Sequence, residues 1–270
     1  MQIDLFSIAQ QMRGHIVQML AAAGSGHPGG SLSATDILAD LYFKQMRIDP
    51  GNPNWEDRDR LVLAKGHAAP ALYAALALRG FFPVEDLVTV RTIGSYLQGH
   101  PCMGTTPGVD MSTGSLGQGL SVANGMALAG RLDGRDYYVY CLMGDGEIEE
   151  GQVWEAAMSA AHYKLDHVIA FVDHNGLQID GPNSKVMTVM PIAQKFEAFG
   201  WDVVTIDGHD FAQIDDAIDR AKRTEGKPTV IVCETIKGKG VSFMENVVDW
   251  HGVAPTSEQA EAALAEIRAC

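Results

Sequence analysis

The chain has 270 residues, of which 46% are hydrophobic and 20% are charged, so it can bury a core without disulfide or metal staples. A formal net charge of −14 makes nucleic acid and anionic membrane surfaces unfavourable partners, and no apolar run reaches the roughly 20 residues of a membrane span. The four cysteines form no CxxC pair and no signal peptide opens the chain, which predicts a cytoplasmic protein.

The first third of the chain predicts helices that alternate with glycine-rich loops. Apolar residues at three- and four-residue spacing indicate an amphipathic helix over residues 1–22. After a loop that reads GSGHPGGS, a second helix is expected over about residues 33–43, with Asp36 as a capping-box acid. RLVLAKGH then predicts a short buried strand that ends near His67, and ALYAALALRG predicts the next helix.

From residue 118 onward, strands and helices alternate regularly. The apolar segments YYVYCLMG, HVIAFVDH, WDVVTI and TVIVCE are typical of strands, and helical segments lie between them. Strands that are apolar throughout predict a parallel sheet with helices on both faces. No low-complexity linker divides the chain, so we expect a single α/β domain.

Two oxygen-bearing side chains stand at the ends of consecutive predicted strands. Asp145 lies in a GDG loop after one strand, and Asn175 lies in DHNG after the next, one βαβ unit later. Parallel strands bring their carboxyl ends to one edge of the sheet, so both side chains can converge there. Mg²⁺ prefers oxygen ligands and often shares them with phosphates, which glycine-rich loops and helix N-termini also bind. The pair predicts a magnesium–diphosphate site, although GDG alone is more often a turn.

The segment GSGHPG also satisfies the dinucleotide-binding pattern GxGxxG. It follows a predicted helix instead of a strand, and Pro28 is expected to interrupt the helix start that the pattern needs. We therefore do not expect a nicotinamide cofactor.

Together the motifs resemble those of transketolases, which are thiamine diphosphate enzymes. GDGEIEEG followed by FVDHNGLQIDG resembles the thiamine diphosphate motif. SGHPGGS, KGH, QGHP, STGSLGQG, ETIKGKGV and WHG occur in the family's order between residues 25 and 252. The chain is similar to the N-terminal subunit of a transketolase that is divided over two chains. The resemblance implies a single thiamine-diphosphate-binding α/β domain, with thiamine diphosphate and Mg²⁺ as cofactors.

The resemblance also implies the site residues, position by position. The expected metal ligands are Asp145, Asn175 and the carbonyl oxygen of Leu177. The residues expected to bind the cofactor are His67, Gly114, Ser115, Leu116, Gly144, Asp145, Gly146, Asn175, Ile236 and His251. The residues expected to act in catalysis are His27, His67, His100, Glu150 and His251. Imidazole suits this role because it titrates near neutrality and can take the proton of a sugar hydroxyl.

The neighbouring acids and the other histidines receive different interpretations. Glu150 matches a glutamate that links paired active sites across a subunit interface in the family, and burial there would raise its pKa. Glu147 and Glu149 are expected to form a solvated first helical turn, favoured by the helix dipole. The histidines expected to be ordinary surface or core residues are His15, His162, His167, His174 and His209.

The resemblance further implies a partner, because the family's pyrimidine-binding and C-terminal domains have no counterpart in residues 1–270. We expect them on a C-terminal subunit of about 300 residues, in a heterotetramer with two cofactors between subunits. The expected reaction moves a two-carbon ketol unit from a ketose phosphate to an aldose phosphate, or between unusual sulfonated or branched sugars. Two alternatives stay open: another thiamine diphosphate enzyme, such as a deoxyxylulose-phosphate synthase or a 2-oxo acid dehydrogenase subunit, and a non-catalytic cofactor-binding module.

Overall fold

The computed structural model describes residues 3–269 and is centred on a sheet of parallel strands. The strands are β1 (Arg60–Leu63), β2 (Val139–Gly144), β3 (Val168–His174), β4 (Leu177–Gln178), β5 (Gly181–Pro182), β6 (Asp202–Asp207) and β7 (Thr229–Glu234). The parallel sheet has the order β1-β2-β3-β7-β6, and β4 pairs with β5 in a separate antiparallel ladder. The predicted parallel sheet is therefore confirmed.

Helices of very different length precede, connect and follow these strands. They are α1 (Leu5–Ala23), α2 (Pro28–Ser33), α3 (Thr35–Asp40), α4 (Ala69–Arg79), α5 (Gly119–Leu132), α6 (Gly151–His162), α7 (Asn183–Val186), α8 (Ile192–Ala198), α9 (Phe211–Arg223) and α10 (Ser257–Ala269). Within residues 3–269, no helix is both long enough and apolar enough to cross a membrane.

Both faces of the sheet are covered, which explains why its inner strands are apolar throughout. Tyr140 and Phe171 are fully buried in a core with α1, α3, α4, α9 and α10. Cys141 and Val172, their neighbours along β2 and β3, are fully buried in the opposite core with α5, α6 and α8. Each large apolar side chain buried in this way contributes about 1.5–3 kcal/mol, so alternate residues on both faces stabilise the sheet.

The second helix begins earlier than predicted. A start was expected near Ser33, but α2 begins at Pro28, where a proline is tolerated because an N–H at the first helical position has no acceptor within the helix. Pro28 therefore does not disrupt a helix start, and the case against a dinucleotide site rests on the helix that precedes the motif. The predicted capping box is also wrong, because Asp36 lies inside α3 and the Ser33 hydroxyl donates to Asp173 at 2.6 Å.

The strand order places the loops after β2, β3 and β7 side by side. Gly144 on β2 is in register with Asp173 on β3, and Asp173 is in register with Cys233 on β7. The loops that follow these strands therefore meet at one edge of the sheet, where parallel α/β folds bind their ligands.

Candidate active site

Asp145 and Asn175 meet at this carboxyl edge, as their spacing predicted. The Asp145 carboxylate accepts hydrogen bonds from the backbone N–H groups of Gly146 at 2.8 Å and Gly176 at 2.6 Å. The Asn175 side-chain oxygen accepts one from the Leu177 N–H at 3.2 Å. Asp145 is only 2% exposed, and burial raises its pKa. A cation beside it would favour the ionised carboxylate.

Two buried lysines, which the sequence motifs contain but the sequence analysis did not single out, bring positive charge to this edge. Lys65 forms an ion pair with Asp173. Lys237 donates through Nζ to the carbonyl oxygen of Leu177 at 2.9 Å and to Nδ1 of His251 at 2.8 Å. Burial and the nearby Lys65 charge lower the pKa of Lys237 to about 8. The signal available in the sequence was a lysine inside a strand-end loop, in KGH and in IKGKG.

The four histidines predicted to be catalytic lie together beside these lysines. The ring centroid of His27 is 5.3 Å from that of His67, 5.7 Å from that of His251 and 6.4 Å from that of His100. Burial lowers the pKa of His27 to about 4 and that of His251 to about 3, and it also lowers the pKa of His67 and of His100. All four imidazoles are therefore uncharged at neutral pH, and the expectation that they titrate near neutrality was wrong for His27 and His251.

Arg91 is a further member of this cluster that the sequence analysis missed. Its backbone has a φ of 64°, a left-handed conformation that is uncommon for a residue with a side chain. Its guanidinium donates to the Ser25 hydroxyl at 3.4 Å, and its charge adds to burial in lowering the pKa of His27 and of His100. No local pattern in the sequence predicts this strained position.

A cavity of about 210 Å³ opens between the strand-end loops. The predicted cofactor residues that line it are His67, Leu116, Gly144, Asp145, Gly146, Asn175 and His251. The predicted metal ligand Leu177 also lines it, together with both lysines. Gly114, Ser115 and Ile236 lie outside this lining: a Cβ on Gly114 would be 3.0 Å from the His100 ring, Ser115 is exposed, and Ile236 is half-buried in the loop after β7.

Glu147 is buried, so the prediction that it is solvated was wrong. It is 2% exposed and accepts hydrogen bonds from the backbone N–H groups of Gly117 and Gly144, each at 3.0 Å. Burial raises its pKa to about 7. The carboxylate thereby fastens the STGSLGQG loop to the end of β2. Glu149 is half-buried and accepts a hydrogen bond from Gln178 at 2.7 Å.

Glu150 is exposed in the single chain, directly before α6. A Cβ on Gly117 would be 2.6 Å from the Cβ of Glu150, so the two loops pack closely here. The assignment of Glu150 to a subunit interface stays a prediction.

Three histidines outside the cluster have polar partners, as expected for ordinary structural residues. Their contacts are His167 Nδ1 to the Tyr137 carbonyl oxygen at 3.1 Å, His174 Nδ1 to Glu234 at 2.9 Å and His209 Nδ1 to Asp36 at 2.7 Å.

Known proteins are similar to this chain in both sequence and fold. A family model described as the transketolase thiamine diphosphate binding domain matches residues 6–267. A 6-deoxy-6-sulfo-D-fructose transketolase subunit from Clostridium sp. (strain MSTE9) is 51% identical over 98% of this chain and 97% of its own length. An apulose-4-phosphate transketolase subunit from Phocaeicola vulgatus is 42% identical over 99% of this chain and 95% of its own.

Solved structures of transketolases also match this fold. Transketolase from Leishmania mexicana matches with a TM-score of 0.93 and 33% identity, over 99% of this chain but only 42% of that one. The chain belongs to the transketolase family and corresponds to its thiamine diphosphate binding domain.

Proposed function

We propose that the chain is the N-terminal subunit of a two-chain transketolase, which moves a two-carbon ketol unit from a ketose donor to an aldose acceptor. The observation that carries the proposal is the cluster of four uncharged histidines beside Asp145 and Asn175. A protein that only stored the cofactor would need an anion site but no cluster of proton-handling groups.

The residues at the carboxyl edge fit a magnesium ion and a diphosphate. Asp145, Asn175 and the Leu177 carbonyl offer a carboxylate, an amide and a peptide oxygen, which are ligands that Mg²⁺ accepts. Three oxygens occupy half of the octahedron that Mg²⁺ prefers, so the set leaves positions for phosphate oxygens. The Leu177 carbonyl has a second lone pair beside the one that Lys237 uses. We propose that Gly114, Ser115, Leu116 and Ile236 contact the rest of the cofactor.

The histidines would handle the protons of the reaction. When bound, thiamine diphosphate supplies the nucleophilic carbon and stores the electron pair of the broken bond. The Lys237 ammonium donates to Nδ1 of His251, so the His251 proton is on Nε2 and is available to a sugar oxygen. His27 Nδ1 is buried and has no hydrogen-bond partner within residues 3–269, so the cluster contains an unpaired polar atom.

The named relatives indicate the class of substrate. One is named for a sulfonated ketose and the other for a sugar phosphate, so both names describe a sugar with an anionic group. We propose that this chain serves donors and acceptors with such a group. The chain is 51% identical to the sulfo-fructose subunit and 42% identical to the apulose-phosphate subunit. For this reason we add a sulfonated ketose to the sugar phosphates as a second candidate donor.

A separate partner chain completes the proposed enzyme. This chain spans 42% of the Leishmania transketolase, and both curated relatives are named as subunits. We propose a C-terminal subunit of about 300 residues and a heterotetramer in which Glu150 lies at a subunit interface. A cytoplasmic location fits the free thiols of Cys102, Cys141 and Cys233.

The metal assignment and the reaction can be tested together. The protein purified with its partner should transfer a ketol unit from a ketose phosphate or from 6-deoxy-6-sulfo-D-fructose, in a manner that depends on thiamine diphosphate and Mg²⁺. Asp145→Asn should lower turnover by at least about 100-fold and weaken Mg²⁺-dependent cofactor binding in calorimetry. Asp180→Asn, at an exposed acid in the turn between β4 and β5, is the matched control and should behave as wild type.

The outcomes separate the alternatives. Cofactor binding by Asp145→Asn that equals wild type would overturn the metal assignment. Release of carbon dioxide from pyruvate without ketol transfer would favour the other thiamine diphosphate enzymes. A wild-type complex that binds the cofactor and turns over no substrate of either kind would favour the non-catalytic module.

A further inference from the structure

A buried hydrogen-bond relay connects α1, α3 and the loop after β6. Arg13 on α1 donates through Nη2 to Oδ2 of Asp36 on α3 at 2.6 Å, and Nδ1 of His209 lies 2.7 Å from the same oxygen. Arg13 and Asp36 are each 4% exposed, and the side chain of His209 is 11% exposed. None of the three lines the cavity beside Asp145.

The relay ends on the backbone of the loop after β7. Nε2 of His209 accepts the hydrogen bond of the Ile236 N–H at 2.9 Å. Nε of Arg13 donates to the carbonyl oxygen of Lys239 at 3.1 Å. These two contacts hold the loop on both sides of Lys237, the residue whose ammonium reaches the site.

The partners fix the protonation of the relay. Because the Ile236 N–H is a donor, Nε2 of His209 is the unprotonated nitrogen, and Nδ1 carries the hydrogen that is donated to Asp36. Burial alone would raise the pKa of Asp36, but the hydrogen bond from His209 and the charge of Arg13 hold it below the usual value. An ionised Asp36 therefore accepts from both neighbours, and each donor in the relay meets an acceptor.

The two ends of the loop are held by different forces. Beyond Lys237, packing leaves no space: a Cβ on Gly238 would be 2.3 Å from the Met244 carbonyl oxygen, and Gly238 donates to the Gly29 carbonyl at 3.0 Å. Before Lys237, the Ile236 N–H is held by the His209 ring. Loss of His209 should therefore loosen the loop mainly at Ile236.

We propose that Arg13, Asp36 and His209 are positioning residues that fix the backbone on both sides of Lys237, and so place Lys237 and the Ile236 side chain in the cofactor site. The identity of the ligand rests on the proposed function, whereas the positioning of the loop does not. A loop that is already ordered pays less conformational entropy when the ligand binds, so the relay strengthens binding without touching the ligand.

The first test measures the loop without cofactor, by amide hydrogen exchange. His209→Leu removes both ring nitrogens and should speed exchange at the Ile236 amide about tenfold, which corresponds to one lost hydrogen bond. His209→Gln keeps one acceptor and one donor on a single amide and should restore slow exchange. His167→Leu, which removes another half-buried histidine at the opposite edge, is the matched control and should leave Ile236 unchanged.

The second test measures cofactor binding in the complex with the partner. His209→Leu should raise the KM for thiamine diphosphate about tenfold, while kcat at saturating cofactor changes less than about threefold. A merely structural role would instead speed exchange throughout the chain and lower the amount of active protein. If the leucine variant does not fold, Asp36→Asn, which removes the charge but keeps an acceptor oxygen, should give a smaller rise of about threefold.

The failures are distinguishable. Unchanged exchange at Ile236 in His209→Leu, or in Asp36→Asn where that is the variant measured, would overturn the relay whatever the protein binds. Faster exchange with an unchanged KM would overturn its role in cofactor binding. If wild type binds no thiamine diphosphate, the proposed function fails, and the exchange data still decide whether the relay holds the loop.

Discussion

The carboxyl edge of the sheet and the amino end of β6 carry their charges in opposite ways. At the carboxyl edge, Lys65, Asp173 and Lys237 have exposures of 1%, 0% and 1%. At the amino edge, Arg220 pairs with Asp202, and the arginine side chain is 52% exposed. A buried charge is costly unless it is paired or meets a ligand, so the carboxyl edge is arranged for a ligand, whereas the ion pair at the amino end of β6 faces solvent.

The two buried lysines differ in which groups surround their positive charges. Lys65 has an ion-pair partner in Asp173, which also accepts hydrogen bonds from the hydroxyls of Ser33 and Thr235. Lys237 meets a carbonyl oxygen and an imidazole, and within residues 3–269 no carboxylate forms an ion pair with it. Lys65 therefore stabilises the fold, whereas the charge of Lys237 is available to an anionic ligand.

The largest effect on stability is expected when the balanced lysine is removed. Lys65→Met should lower the free energy of unfolding by about 3–5 kcal/mol, because it leaves the buried Asp173 carboxylate without its cation. Lys237→Met should leave that free energy unchanged or raise it, since it removes an unpaired buried charge, while it weakens binding of the cofactor. Urea unfolding of both purified variants measures the difference. A greater loss of stability in Lys237→Met would contradict this division of roles.

An intermediate effect is expected at Asp40, a buried acid away from both edges. Neither of its carboxylate oxygens accepts a hydrogen bond from an N–H or hydroxyl group within residues 3–269, and burial, the charge of Asp215 and a hydrogen bond to Asp215 raise its pKa to about 8. The folded chain keeps a proton that the unfolded chain releases above its ordinary pKa of 3.8, so stability falls as pH rises from about 4 to about 8.

Asp40→Asn removes this titration. The unfolding free energy of the variant minus that of wild type should increase by about 1–3 kcal/mol from about pH 5 to about pH 9. Unfolding in urea at both pH values measures the gain. A difference between variant and wild type that stays constant with pH would show that Asp40 is ionised in the folded chain despite its burial.

The sheet and the core of the site were predictable because their signals are local. Apolar strands and the polar residues at their ends placed Asp145 and Asn175 at one edge, and the structure confirms that placement. The partners of buried charges were not predictable, because they come from distant parts of the chain. Lys65 and Asp173 are 108 residues apart, and Asp36 and His209 are 173 apart.

Local patterns were also misleading where tertiary contacts dominate. Glu147 resembled part of a solvated first helical turn, but its carboxylate is buried and accepts hydrogen bonds from the backbone N–H groups of Gly117 and Gly144. Asp36 resembled a capping acid three positions after Ser33, but an arginine on α1 and a histidine after β6 take its carboxylate. In both cases a residue type common at exposed helix starts is used to join loops at the carboxyl edge.

The smallest effect on stability is expected at the ion pair between Arg220 and Asp202, at the amino end of β6. Arg220 contacts Asp202 through hydrogen bonds of 3.2 and 3.0 Å, and Lys227 lies 3.5 Å from the same carboxylate. Exposed ion pairs contribute about 0–1 kcal/mol, and Lys227 can replace the lost cation, so Arg220→Gln should change the unfolding free energy by less than about 0.5 kcal/mol. The change should vanish at about 1 M salt, where exposed charges are screened. A loss that persists in salt and approaches that of Lys65→Met would mean that the pair at the amino end of β6 behaves as a buried charge, and its contrast with the carboxyl edge would not hold.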